Sequence, residues 1–135
     1  MDKPIETFFT RVGCMDGRVQ LPVSNYGKQK FNASYPDSIS DAGEVGILAH
    51  DPSPEVLRTL THELEVTINN HHSKGIVVHG HSECAGNPVA DDLQKRHILK
   101  SVELIKKLIN NQIPVVGVFV TRSEANPEEW IVQEL

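Results

Sequence analysis

The chain has very few cysteines, few aromatic residues and no long apolar run. Cys14 and Cys84 are its only cysteines. Two thiols do not make a disulfide framework. Buried inert thiols, a transient redox pair and metal ligands all remain open on count alone. Aromatic residues make up 5% of the chain, with a single tryptophan, Trp130. No apolar run approaches the length that spans a bilayer, which excludes a membrane-spanning helix. Met1-Asp2-Lys3-Pro4 lacks a basic region followed by an apolar core, so no secretory signal is read there and a cytoplasmic location is expected. Clustered positive charge is missing too. The 13 Lys and Arg residues are outnumbered by 18 Asp and Glu, net charge −5, and no basic run exceeds two residues. Nucleic acid and membrane surfaces are therefore excluded as main partners.

The 135 residues, 39% apolar and 23% charged, suit one globular domain over residues 1–135. Residues 8–12 read as a first strand ending at Gly13-Cys14. Residues 20–29 could hold a short helix opened by Pro22 and closed by Gly27. Residues 31–35 read as a weak edge strand ended by Pro36, and residues 36–51 as a loop rich in Asp, Ser and Gly. Ser53 as N-cap and Pro54 at the first position start a helix that runs through Leu57, Leu60, Leu64 and Ile68 to about His72 and stops at Gly75. Ile76-Val77-Val78 is a third strand, continued by His79-Gly80. A helix follows from Val89 or Asp91 to about Asn111, then a valine-rich strand over 114–120 and a last strand at Trp130-Ile131-Val132. Strands joined by helices of this length predict an α/β fold: a mostly parallel five-stranded sheet flanked by helices.

Two stretches carry chemistry. Val12-Gly13-Cys14-Met15-Asp16-Gly17-Arg18 follows the first strand, and Val78-His79-Gly80-His81-Ser82-Glu83-Cys84 closes the third. In an open parallel sheet, sites form at carboxyl ends of strands where the strand order reverses. If strands one and three are neighbours, the two loops face each other. Cys14, His81 and Cys84 then form a ligand set suited to zinc, with the fourth position left to water or to Asp16. Arg18 could hold Asp16 away from the metal through a bidentate pair. His79 is the rival ligand to His81 and is read as structural. His62, His71 and His72 are read as surface residues, Glu83 as solvated, and Asp91-Asp92 as a helix start.

Together the two stretches resemble the β-class carbonic anhydrases, whose zinc site combines C-x-D-x-R after the first strand with G-H-x-x-C after the third. Here these are Cys14-Met15-Asp16-Gly17-Arg18 and Gly80-His81-Ser82-Glu83-Cys84, and Asp41-Ala42-Gly43 is similar to the family's glycine-containing loop after its second strand. Gly17 stands where the family usually has serine, and Ala85 where it usually has glycine. The resemblance implies Zn2+ held by Cys14, His81 and Cys84, with Asp16 and Arg18 as the associated catalytic pair. It implies reversible hydration of carbon dioxide to bicarbonate by zinc-bound hydroxide, in a homodimer or higher homo-oligomer. Two other activities fit the same residues. One is hydrolysis of carbonyl sulfide or carbon disulfide. The other is zinc binding without turnover, with Asp16 as fourth ligand.

Overall fold

The computed structural model describes residues 2–135. The elements are β1 (Phe8–Cys14), α1 (Gln20–Phe31), β2 (Tyr35–Asp41), α2 (Glu44–Ala49), α3 (Pro54–Glu65), β3 (Ile76–His81), α4 (Asp91–Leu108), β4 (Val115–Arg122) and β5 (Trp130–Glu134). The five strands form one sheet in the order β2-β1-β3-β4-β5. The first four are parallel and β5 runs antiparallel to β4. The α/β class and the mostly parallel sheet are as the sequence predicts.

Alternation along the strands divides the core between the two faces. Phe9, Val77, Val118 and Val120 pack with Val19 and Val23 beneath α1. Val12, Ile76, Val78 and Phe119 pack on the other face with Leu48, Leu60, Leu64, Ile98, Val102 and Ile105 from α2, α3 and α4. Ser53 caps α3 by accepting a hydrogen bond from Val56 N–H at 3.2 Å, as its position before Pro54 predicts. Among the described residues, no helix is long and apolar enough to cross a membrane.

Several boundaries differ from the sequence expectation. The segment after Gln20 is a full helix that passes through Gly27 and ends at Phe31, with Asn32 in the left-handed conformation at its C-cap. The second strand begins at Tyr35, where the sequence predicts its end, and passes through Pro36. Proline lacks a ladder donor, but β2 lies at the sheet edge, where that loss is tolerated. The predicted loop over 36–51 therefore holds most of β2 and all of α2. After α3 the chain continues as a π-helical turn, Val66–Asn70. There Thr67 donates to Asp37 at 2.6 Å, and His71 Nδ1 lies 2.7 Å from the same oxygen. His71 also stacks on Phe8, with ring centroids 4.1 Å apart, so it is a packing residue rather than a free surface side chain.

Gly27 is mid-helix because α1 presses its backbone onto β1. A Cβ at this position would sit 2.0 Å from the ring of Phe9. Gly27→Ala would ordinarily gain about 1 kcal/mol of helix propensity. Here the overlap should dominate and destabilise the fold by about 1–3 kcal/mol. Urea denaturation checks this: a lower midpoint is expected, and a higher one would refute the close approach.

Candidate metal centre

β1 and β3 are adjacent, and Gly13 pairs with His79 in their register. The strand order reverses between them, since β2 lies outside β1 on one side and β4 outside β3 on the other. Their carboxyl ends are therefore the topological switch point. Cys14 is the last residue of β1 and His81 the last of β3. A short turn then brings Cys84 back to Cys14.

The sulfurs of Cys14 and Cys84 lie 3.7 Å apart, and both thiols are free. The candidate ligand atoms of Cys14, His81 and Cys84 all fall within 4.8 Å of one another, and all three residues are buried. Among the described residues this is the one cluster of three or more His, Cys, Asp or Glu side chains arranged to hold an ion. His81 Nδ1 donates to the carbonyl of Ser82 at 2.7 Å. That bond fixes the tautomer and leaves the lone pair on Nε2, which is buried without a hydrogen-bond partner. A tetrahedral zinc with sulfur bonds of about 2.3 Å sets two sulfurs roughly 3.8 Å apart. The sulfur spacing and the orphaned nitrogen both fit such an ion.

The surroundings favour ionised sulfur at Cys14. Burial pushes the Cys14 thiol up, but His81, the Gly43 N–H and the Asp16 backbone outweigh it and bring the pKa down to about 7. The Gly43 N–H points at Cys14 Sγ from 3.4 Å. Gly43 has φ +64°, and a Cβ there would lie 2.4 Å from the backbone of Gly86, so glycine is needed to bring the two loops this close. Burial, then the neighbouring Cys14, push Cys84 upward. Cys14 is thus the first of the pair to ionise.

Asp16 and Arg18 form a closed pair beside the cluster. Asp16 Oδ1 accepts from Arg18 N–H at 2.9 Å and Nε at 3.1 Å, and Oδ2 accepts from Nη2 at 2.8 Å. Hydrogen bonding to the Arg18 side chain holds the Asp16 carboxyl at about 2, against the upward push of burial. Asp16 Oδ2 also lies 4.0 Å from His81 Nε2. Gln20 braces the loop from α1: its amide donates to the carbonyls of Cys14 at 3.1 Å and Asp16 at 2.7 Å. Met15 N–H bonds the Asp41 carbonyl at 3.2 Å, which ties the loop to the end of β2.

The structure brings together Cys14, Asp16, Arg18, His81 and Cys84, the residues singled out in the sequence. His79 is not among the clustered ligand atoms. It is fully buried, and burial lowers its pKa to about 3, so it stays neutral. Its ring occupies the space that a side chain at Gly13 would need, 2.4 Å from the position of a Cβ. Glu83 is not simply solvated: Arg122 Nε donates to it at 2.7 Å and Arg18 Nη1 lies 3.5 Å away. Gln20, Arg122 and Trp130 do not stand out as site residues in the sequence. Only the uniqueness of Trp130 is visible there. Gln20 carries no motif signal although it bonds carbonyls four and six residues before it, and Arg122 reaches the site only through its pairing with the distant Glu83.

A family model described as "Putative carbonic anhydrase" matches residues 5–133. Among curated proteins, none matches the chain. The solved structures it resembles include β-carbonic anhydrase isoform I from Trichomonas vaginalis, at 16% identity and TM-score 0.59, covering 99% of this chain and 86% of that one. They also include the carbonic anhydrase of Streptococcus mutans, at 16% identity and TM-score 0.57, again covering 99% and 86%. At that identity the two structures establish the fold. The family model spans nearly the whole sequence, and on that ground the chain belongs to the putative carbonic anhydrase family.

Proposed function

We propose that the protein is a zinc-dependent enzyme that interconverts carbon dioxide and bicarbonate. The observation that carries this reading is the buried Cys14, His81 and Cys84 cluster with the Asp16 carboxylate beside it, 4.0 Å from His81 Nε2. Zinc held by these three side chains would supply the Lewis acidity that makes water a nucleophile near neutral pH. The net reaction adds water to carbon dioxide and yields bicarbonate and a proton.

Asp16 acts by orientation rather than as a proton store. With its pKa held at about 2 it is too weak a base to keep a proton near neutrality. Its carboxylate is instead placed to accept a hydrogen bond from the reacting water and align it for attack. Arg18 fixes the carboxylate through both of its oxygens. The buried sulfurs and imidazole keep bulk water away from the ligand side. The sheet edges at β2 and β5 are open in a single copy, which supports assembly with further copies of the chain. Two free thiols suit a reducing, cytoplasmic setting.

One observation favours a second reading. The Asp16 oxygen nearest the cluster is close enough to become a fourth ligand if Arg18 releases it. A protein resting in that state would bind zinc without turnover. Stopped-flow hydration of carbon dioxide at alkaline pH separates the two. Rapid hydration supports the enzyme, and a zinc-loaded but inactive protein supports the inert binder.

Elemental analysis of the purified protein is expected to find about one zinc per chain, lost in Cys14→Ser. Zinc must displace both thiol protons, so affinity should already weaken as pH falls through the neutral range, where Cys84 with its raised pKa is protonated, and weaken more steeply below about 7, where Cys14 is protonated too. A competition titration against a chelator across pH measures this. Affinity that does not fall in that range would contradict thiolate ligation by Cys14. Arg18→Ala should keep the zinc but lower hydration activity on the order of 10- to 100-fold.

A further inference from the structure

Trp130 opens β5, and the antiparallel register sets it opposite Arg122 at the end of β4. Its ring meets two guanidinium groups: Arg18 Cζ lies 4.8 Å from the ring centroid and Arg122 Cζ 4.7 Å. Each is attracted by the ring's quadrupole. Two cations at one ring repel each other, and Glu83 supplies the compensating charge. Its carboxylate accepts from Arg122 Nε at 2.7 Å and Nη2 at 3.2 Å, and lies 3.5 Å from Arg18 Nη1. The carbonyl of Glu83 accepts from Arg18 Nη2 at 3.1 Å. Glu83 has φ +58°, a left-handed conformation that costs a non-glycine residue energy and that surrounding contacts must hold in place. Arg122 is anchored in turn by donating to the carbonyl of Pro127 at 2.8 Å.

These contacts converge on one atom. Arg18 Nη2, which bonds the Glu83 carbonyl, also bonds Asp16 Oδ2, the oxygen that lies 4.0 Å from His81 Nε2. Asp16 can turn towards a metal only when Arg18 lets go of it. The Trp130 ring also stands edge-on to His81, with centroids 6.3 Å apart, so one side chain borders both the ligand and the pair.

We propose that Trp130, with Glu83 and Arg122, is the positioning element that holds Arg18 on Asp16 and so keeps Asp16 from becoming a fourth metal ligand. This rests on the zinc reading given above. In this arrangement the antiparallel strand β5 carries a wall across the open end of the switch point. Trp130 touches no reacting atom, and its effect passes through Arg18.

The test is a double-mutant cycle on zinc affinity, read by chelator competition, with the wild type, Trp130→Ala, Asp16→Asn and the double variant. Freed from Arg18, Asp16 should join the metal, so Trp130→Ala should bind zinc more tightly, on the order of tenfold. The gain should vanish when Asp16 is already Asn, and Trp130→Phe, which keeps an aromatic face, should restore the wild-type value. Arg122→Ala, at an exposed position, should shift affinity in the same direction by less, and gives a second measurement should Trp130→Ala fold poorly. In cobalt-substituted Trp130→Ala the visible absorption should change as the fourth ligand changes. A shift that is equal with and without Asp16, or no shift in either Trp130→Ala or Arg122→Ala, overturns the proposal. A wild-type protein that takes up no zinc removes the metal reading itself, which is a separate outcome.

Discussion

The parallel pairing of β1 with β3 is the constraint on which the rest of the molecule depends. It ends the two strands within one residue of each other, and the reversal of strand order there opens a crevice between their carboxyl ends. Cys14 and His81 are delivered side by side, with Cys84 one tight turn further on. Everything else either presses these two strands together or closes the gap above them. α1 does the first by laying Gly27 on Phe9, while on the other face α4 packs against β3 and β4, with Ile98 over Gly80 and Val102 over Gly117. Gly43, Gln20 and Trp130 do the second, each from a different segment.

What the sequence makes legible follows from how local the underlying physics is. The ligand spacing in Cys14-Met15-Asp16-Gly17-Arg18 and Gly80-His81-Ser82-Glu83-Cys84 is a short-range property, and so are the cap at Ser53-Pro54 and the valine-rich β4. The cap and the strand are found where the sequence places them, and Cys14, His81 and Cys84 come together as the strand order predicts. The errors fall where tertiary contact overrides a local signal. Gly27 looks like a stop because glycine weakens helices, yet it is required where a helix crosses an aromatic ring. Pro36 looks like the end of a strand, yet an edge position tolerates it. Glu83 looks solvated because nothing near it in sequence is basic. Its partners, Arg18 and Arg122, are 65 and 39 positions away.

The charged layer over the site is organised differently from its core. Beneath lie two sulfurs and an imidazole whose Nε2 is buried without a hydrogen-bond partner. Above lie Asp16, Arg18, Glu83 and Arg122, alternating in sign and each touching the next. Each exposed ion pair alone contributes little. As a connected network around one ring they restrict a single carboxylate, that of Asp16.

The contact between Gly13 and His79 bears on how such a centre can change over time. The imidazole fills the space a side chain at residue 13 would take, one residue before Cys14 and two before His81. The two positions are thus a lock and key within the sheet. A lineage could exchange the ring for a smaller group and the glycine for a larger one only as a pair. Either change alone would leave a void or a collision next to Cys14 and His81. Residues 13 and 79 should therefore vary together or not at all, although neither contributes an atom to the cluster itself.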